Sequence, residues 1–160
     1  MKYTLATTIV VASLWIPVLA AGDGVVEHHM LMGSSSVKWG PPPPVVPAGA
    51  KFAVIDGDPA LAGPVTVRIA MPAGYKIPPH WHPTDEYVTV LSGSLSLGMG
   101  DTPDPAHATM LKAGGFAVAP AKMHHYASTK TGATIQLHFM GPFALTYVNP
   151  TDDPTHGAAK

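Results

Sequence analysis

The chain contains no cysteine. Disulfides cannot hold it together, and any metal site must draw on histidine, carboxylate, amide or thioether donors. Charge is scarce too. Only 12% of the 160 residues are Asp, Glu, Lys or Arg, and the formal net charge is −1. No basic run occurs, so neither nucleic acid nor an anionic membrane surface is an expected partner. No window sustains a helical period of apolar residues. Proline and glycine are plentiful, with 18 and 16, and nine histidines stand against nine lysines plus arginines. That histidine ratio raises the question of a metal.

Lys2 is followed by YTLATTIVVASLWIPVLAAG, an apolar run that ends in small residues. A positive start, an apolar stretch and a small-residue exit describe a secretory signal peptide over residues 1–21. The rival is an uncleaved anchor, since the run is nearly long enough to span a bilayer. Its Thr and Ser residues, Pro17 and the small-residue exit favour export to the periplasm or the medium, with no membrane contact after cleavage. The remainder, roughly 140 residues, suits one domain.

Residues 22–50 read as an extended N-terminal arm. GSSS is flexible, and GPPPPVVPAGA favours polyproline conformation. Trp39 offers an apolar anchor that would lay the arm on the domain. Residues 51–150 form the domain proper, and 151–160 make a polar tail expected to fray.

From Lys51 onward, short apolar and β-branched runs alternate with Gly, Pro, Asp and Asn turns, which predicts an all-β fold. The expected strands are 51–56, 65–72, 75–82, 86–92, 94–99, 107–111, 115–120, 124–129, 134–140 and 144–148. About ten short strands with tight turns suit a sandwich or a small barrel. Pro78 and Pro79 fall inside one of them, so that strand must be irregular there or lie at an edge.

The stretch PPHWHPTDEY, residues 78–87, concentrates the chemistry. Side chains on a strand alternate faces, so His80 and His82 point the same way. Glu86 shares their parity, although the intervening PTD reads as a turn. Two imidazoles and a carboxylate on one face suit a divalent transition metal. The plainer reading is a polar strand end facing water. Further donors lie at His124 and His125, of which one can enter the core and the other must turn out.

These residues resemble a known family. Gly74, His80, His82, Glu86 and Gly93 match the first cupin motif, G-x5-H-x-H-x3-E-x6-G, at every fixed position. The second motif, G-x5-P-x-G-x2-H-x3-N, is met at Gly114, Pro120 and His125, with Lys122 where the family has Gly and Thr129 where it has Asn. Residues 37–154 are similar to small, often exported bacterial cupin-2 proteins. The resemblance implies a double-stranded β-helix, the cupin jelly-roll barrel, holding one metal through His80, His82, Glu86 and His125. His124 competes for the last place. Lys122 adds to that competition, since lysine enters a left-handed turn less cheaply than glycine. The resemblance also implies a possible homodimer through edge strands.

Such a donor set leaves coordination positions open for a small-molecule substrate or ligand. Manganese, iron and zinc are the expected occupants, and copper and nickel fit too. The function expected is a small metalloenzyme, an oxygenase or isomerase acting on a chelating substrate. The alternative is a non-catalytic binding or sensing cupin. If the face of TIQLHFM that carries Gln136 and His138 is inward, His138 is a candidate catalytic residue, as a proton shuttle or a substrate contact. The plainer reading is a satisfied core histidine. Tyr87, Trp81 and Tyr126 should point away from the metal. Phe116, Val118, Met99 and Met123 are expected in the core or lining the pocket, and His107 and His156 in water. A second group, His28, His29, Met30 and Met32, would suit copper but reads more simply as incidental residues of the arm.

Overall fold

The computed structural model describes residues 30–156. The expectations for residues 1–21, for His28 and His29, and for the last four residues lie outside that range. The described residues form nine strands and two single turns of 3-10 helix, Ser34–Ser36 and Pro150–Asp152. No helix among them is long and apolar enough to cross a membrane. The strands are β1 (Lys51–Asp56), β2 (Gly63–Met71), β3 (Lys76–Trp81), β4 (Glu86–Met99) and β5 (Thr109–Lys112). They continue with β6 (Phe116–Ala119), β7 (His125–Ser128), β8 (Ala133–Gly141) and β9 (Thr146–Tyr147).

Two antiparallel walls share β4. One wall runs β1-β2-β8-β4-β6 and uses residues 86–93 of β4. The other runs β9-β3-β7-β4-β5 and uses residues 94–99. The walls curl into a jelly-roll half-barrel. The two strands expected at 86–92 and 94–99 are therefore one. The Ser92–Ser94 stretch is a corner within a strand, not a hairpin turn. Gly93 makes the corner with φ +72°, and a Cβ there would lie 2.1 Å from the Gly132 carbonyl oxygen. Only glycine permits both the dihedral and the close approach.

Inside, alternate residues of each strand meet. β2 buries Val65, Val67, Ile69 and Met71, β4 buries Val88, Val90, Leu95 and Leu97, and β8 buries Ile135, Leu137 and Phe139. Each such side chain contributes about 1.5–3 kcal/mol relative to exposure. Pro78 and Pro79 coincide with a break in the β3–β7 register between Ile77 and His80. Proline has no N–H to give the ladder, so the pairing lapses where they stand.

The arm is tied to the barrel at several points. Gly40 bridges to Phe52, and Val46 is 97% buried, with 3% exposed. The Tyr147 hydroxyl donates to the Val45 carbonyl at 2.8 Å, and the Tyr75 hydroxyl donates to the Pro47 carbonyl. Burial pushes the Tyr75 phenol up to about 12 and raises Tyr147 as well, so both remain donors. Val46 is the apolar anchor; Trp39 stays 39% exposed. At the other end, Asn149 caps the 150–152 turn, and Thr155 bonds to Asp153. Among the described residues of the tail, these bonds fix the backbone at Thr151 and Thr155.

Candidate metal centre

β3 carries His80, His82 follows just past its end at Trp81, β4 begins at Glu86, and β7 begins at His125. All four are buried. His80 and His125 are direct partners across the β3–β7 ladder. Residues opposed in an antiparallel ladder share a face, so both imidazoles enter the barrel. Ring centroids lie 4.2 Å apart for His80–His125, 5.0 Å for His80–His82 and 5.3 Å for His82–His125. One ligand atom from each of the three histidines lies within 4.8 Å of the others. The Glu86 carboxylate faces the same centre, 3.5 Å from His82 Nε2 and 3.6 Å from His125 Nε2.

Each imidazole is oriented from behind. His80 Nδ1 donates to the Pro78 carbonyl at 2.7 Å, His82 Nδ1 to Ala144 at 2.7 Å, and His125 Nδ1 to Met123 at 3.0 Å. A carbonyl can only accept, so Nδ1 holds the proton and Nε2 presents a lone pair. His82 Nε2 and His125 Nε2 are buried without a hydrogen-bond partner. Orphaned buried acceptors are costly, and a cation at their focus would satisfy them. The donor set therefore fits a divalent ion. Electrostatics agree. Burial, then His125 and His82, push the His80 imidazole down to about 3, which keeps it neutral. Burial alone would raise Glu86, but His125, His82 and His80 outweigh it and hold the carboxyl below its ordinary range.

The family model for the cupin domain matches residues 67–140. Those residues form a cupin domain. No curated protein matches it. Solved structures do. The polyketide cyclase RemF from Streptomyces resistomycificus is 17% identical, with a TM-score of 0.65 over 83% of this chain and 94% of RemF. A candidate acetylacetone dioxygenase from Methylibium petroleiphilum is 20% identical, with a TM-score of 0.61 over 80% of this chain and 86% of that one. An RmlC-like cupin from Shewanella frigidimarina is 15% identical, with a TM-score of 0.55 over 71% and 91%. At these identities the likeness is one of fold.

The second-motif loop of this cupin departs from the family at Lys122, which takes φ +62°, the only positive φ outside glycine among the described residues. The loop is stitched to the first motif nonetheless. Lys122 N–H donates to the His82 carbonyl at 2.8 Å, and Ala121 N–H to Asp85 Oδ1 at 2.7 Å. His124 turns out, with Nδ1 2.6 Å from Asp101 Oδ1, while His125 enters. Thr129 is buried beside Tyr75, whose carbonyl accepts its N–H, and touches none of the four donors.

The inward reading of His138 is corrected. Glu86 points in, so Tyr87 points out, and His138 is paired with Tyr87 across the β4–β8 ladder. His138 is accordingly exposed on the outer face, bonded to Thr66 Oγ1 at 2.9 Å and Gln136 at 3.1 Å. It cannot serve as a proton shuttle at the centre. The same register moves Phe116 and Val118 outward, because Ala119 is the residue opposite Glu86. Phe116 instead stacks on Tyr87 outside, and Met99 and Met123 are also exposed. Tyr126 lies across Gly98 on the side of its strand away from His125 and is itself buried, its hydroxyl donating to the Asp104 carbonyl and accepting from the Asp104 N–H. His107 and His156 are exposed.

Sequence reasoning missed the other walls of the site. Val46 from the arm, and Phe143 and Leu145 from the loop between β8 and β9, close over the histidines. Phe143 packs 5.8 Å from His82 and 5.4 Å from Phe139. The His82–Ala144 bond is what draws that loop down, and no motif announces it.

Proposed function

We propose that this cupin binds one divalent transition metal through His80, His82, Glu86 and His125. It would act there on a small chelating molecule, as an oxygenase or isomerase. The observation that carries the metal reading is the pair of buried, partnerless Nε2 atoms on imidazoles whose Nδ1–H groups are already committed to backbone carbonyls. When bound, such an ion supplies Lewis acidity and a place for a chelating oxygen, nitrogen or sulfur donor. The chain's own part is to fix three neutral imidazoles, supply one carboxylate charge and keep the surroundings apolar. Neighbours of the same fold named for a cyclase and a dioxygenase are in keeping with chemistry on a small molecule. The N-terminal sequence supports export of the protein.

Elemental analysis of purified protein, before and after chelation and reloading, tests the reading. About one equivalent of manganese, iron, zinc, copper or nickel is expected. Absence of any bound ion after reloading would end it. Oxygen uptake and substrate turnover against a panel of small chelators then separate oxygenase from isomerase. Intact mass of the exported form locates the processing site.

A further inference from the structure

The cavity that adjoins the four donors is small, about 30 Å³. That is room for roughly two water molecules. Apart from His80, His82, Glu86 and His125, every residue lining it is apolar, with Val46, Leu95, Leu97, Ile135, Phe143 and Leu145 among them. No lysine, arginine, hydroxyl or amide side chain among the described residues lines it.

This composition constrains charge. Imidazoles must be neutral to ligate, so a site with a divalent ion and Glu86 carries one net positive charge. An apolar wall penalises whatever charge is left uncompensated. A ligand that brings one negative charge closes the balance. A dianion overshoots it and finds no cation to meet its second charge. Size is constrained as well. Val46 is held from both sides, by the Tyr147 hydroxyl on Val45 and the Tyr75 hydroxyl on Pro47, so it is a fixed wall. Phe143 lines both this cavity and a smaller cleft at the rim with Pro83, Thr84, Pro142 and Ala144.

We infer that the ligand of this centre is a singly ionised chelator with an apolar body, such as an enolate, thiolate, phenolate or hydroxamate, and that Val46 sets how large that body can be. Dicarboxylates, sugar acids and phosphate esters are rejected, since nothing in the cavity answers their additional charges and hydroxyls. The inference rests on the metal reading above and goes beyond it in naming the class of ligand.

The full chain loaded with cobalt(II) provides the test. Cobalt content is measured first, and ligand binding is then read from the visible absorption of the ion. Acetohydroxamic acid and oxalate have similar reach but differ in charge. Acetohydroxamic acid is expected to bind at least about tenfold more tightly than oxalate. In Val46→Ala, the bulkier benzohydroxamic acid should gain at least about tenfold relative to acetohydroxamic acid. If that variant does not fold, Val46→Ile reads the same wall in reverse, and binding of acetohydroxamic acid should weaken. Equal or tighter binding of oxalate overturns the charge argument. A size preference indifferent to residue 46 overturns the role of Val46. A chain that takes up no cobalt ends the metal reading itself and this inference with it, which the content measurement distinguishes from the other two failures.

Discussion

His80 and His125 stand directly opposite each other in the β3–β7 ladder, with ring centroids 4.2 Å apart and planes inclined by 57°. Their proximity rests on backbone register, so each ring has a fixed place that its sequence neighbour cannot fill.

His125→Ala should therefore lower metal affinity by at least about a hundredfold, judged against the 10–100-fold typical of lost supporting groups. His124→Ala should change it by less than about threefold, because His124 faces Asp101 outside. His138→Ala should be equally silent. Competitive dialysis against a chelator, followed by elemental analysis, compares the three. Equal metal retention in the first two variants would refute the assignment of His125.

The metal-free protein should lose stability as acid is added. The unfolded chain takes up a proton at residue 80 near pH 6.5, whereas the folded chain refuses it until about pH 3. Between those values the unfolded state binds more protons, and stability falls by up to about 1.4 kcal/mol per pH unit from this group. Glu86 works in the same direction, since its folded carboxyl stays ionised below the point where the unfolded one is protonated. Urea midpoints at intervals from pH 7 to pH 4 should decline steadily. A flat profile would contradict the neutral burial of His80.

Lys122→Gly should stabilise the protein by about 1 kcal/mol. The φ of +62° strains lysine but not glycine, and the bond to the His82 carbonyl uses the backbone N–H, which glycine keeps. A rise in the denaturant midpoint at unchanged slope is the expected signature. No change would mean that the loop relaxes in solution.

Tyr75→Phe and Tyr147→Phe should each cost about 0.5–1.5 kcal/mol, the ordinary worth of the bond removed. The double variant should loosen the arm around Val46, seen as faster amide exchange at residues 45–48. Unaltered exchange there would show that apolar packing alone holds the arm.

Much of the fold was legible because β-strands announce their phase wherever one face is apolar and the other polar. H-x-H on a strand fixed the joint direction of His80 and His82, and the strand limits mostly fell within two residues of those observed. The phase was not legible where both faces carry apolar side chains. In FAVA, Phe116 and Val118 outweigh the alanines, yet Ala117 and Ala119 are the less exposed pair. The β4–β6 register decides the matter through Glu86, and register between distant segments is not written in either segment alone. TIQLHFM failed in the same way. Val46, Phe143 and Leu145 were invisible for another reason: they reach the site from an arm and a loop, where no periodicity operates.

Because β4 is shared by both walls, neither can peel away from it without disturbing the other. The strand that starts with Glu86 turns at Gly93 and finishes against β7, where His125 begins. Opening either wall disturbs a donor strand, so the scaffold and the metal centre should come apart as one cooperative unit. The amides of residues 88–97 should be among the last to exchange, and a bound ion would slow their exchange by raising the free energy of that single opening.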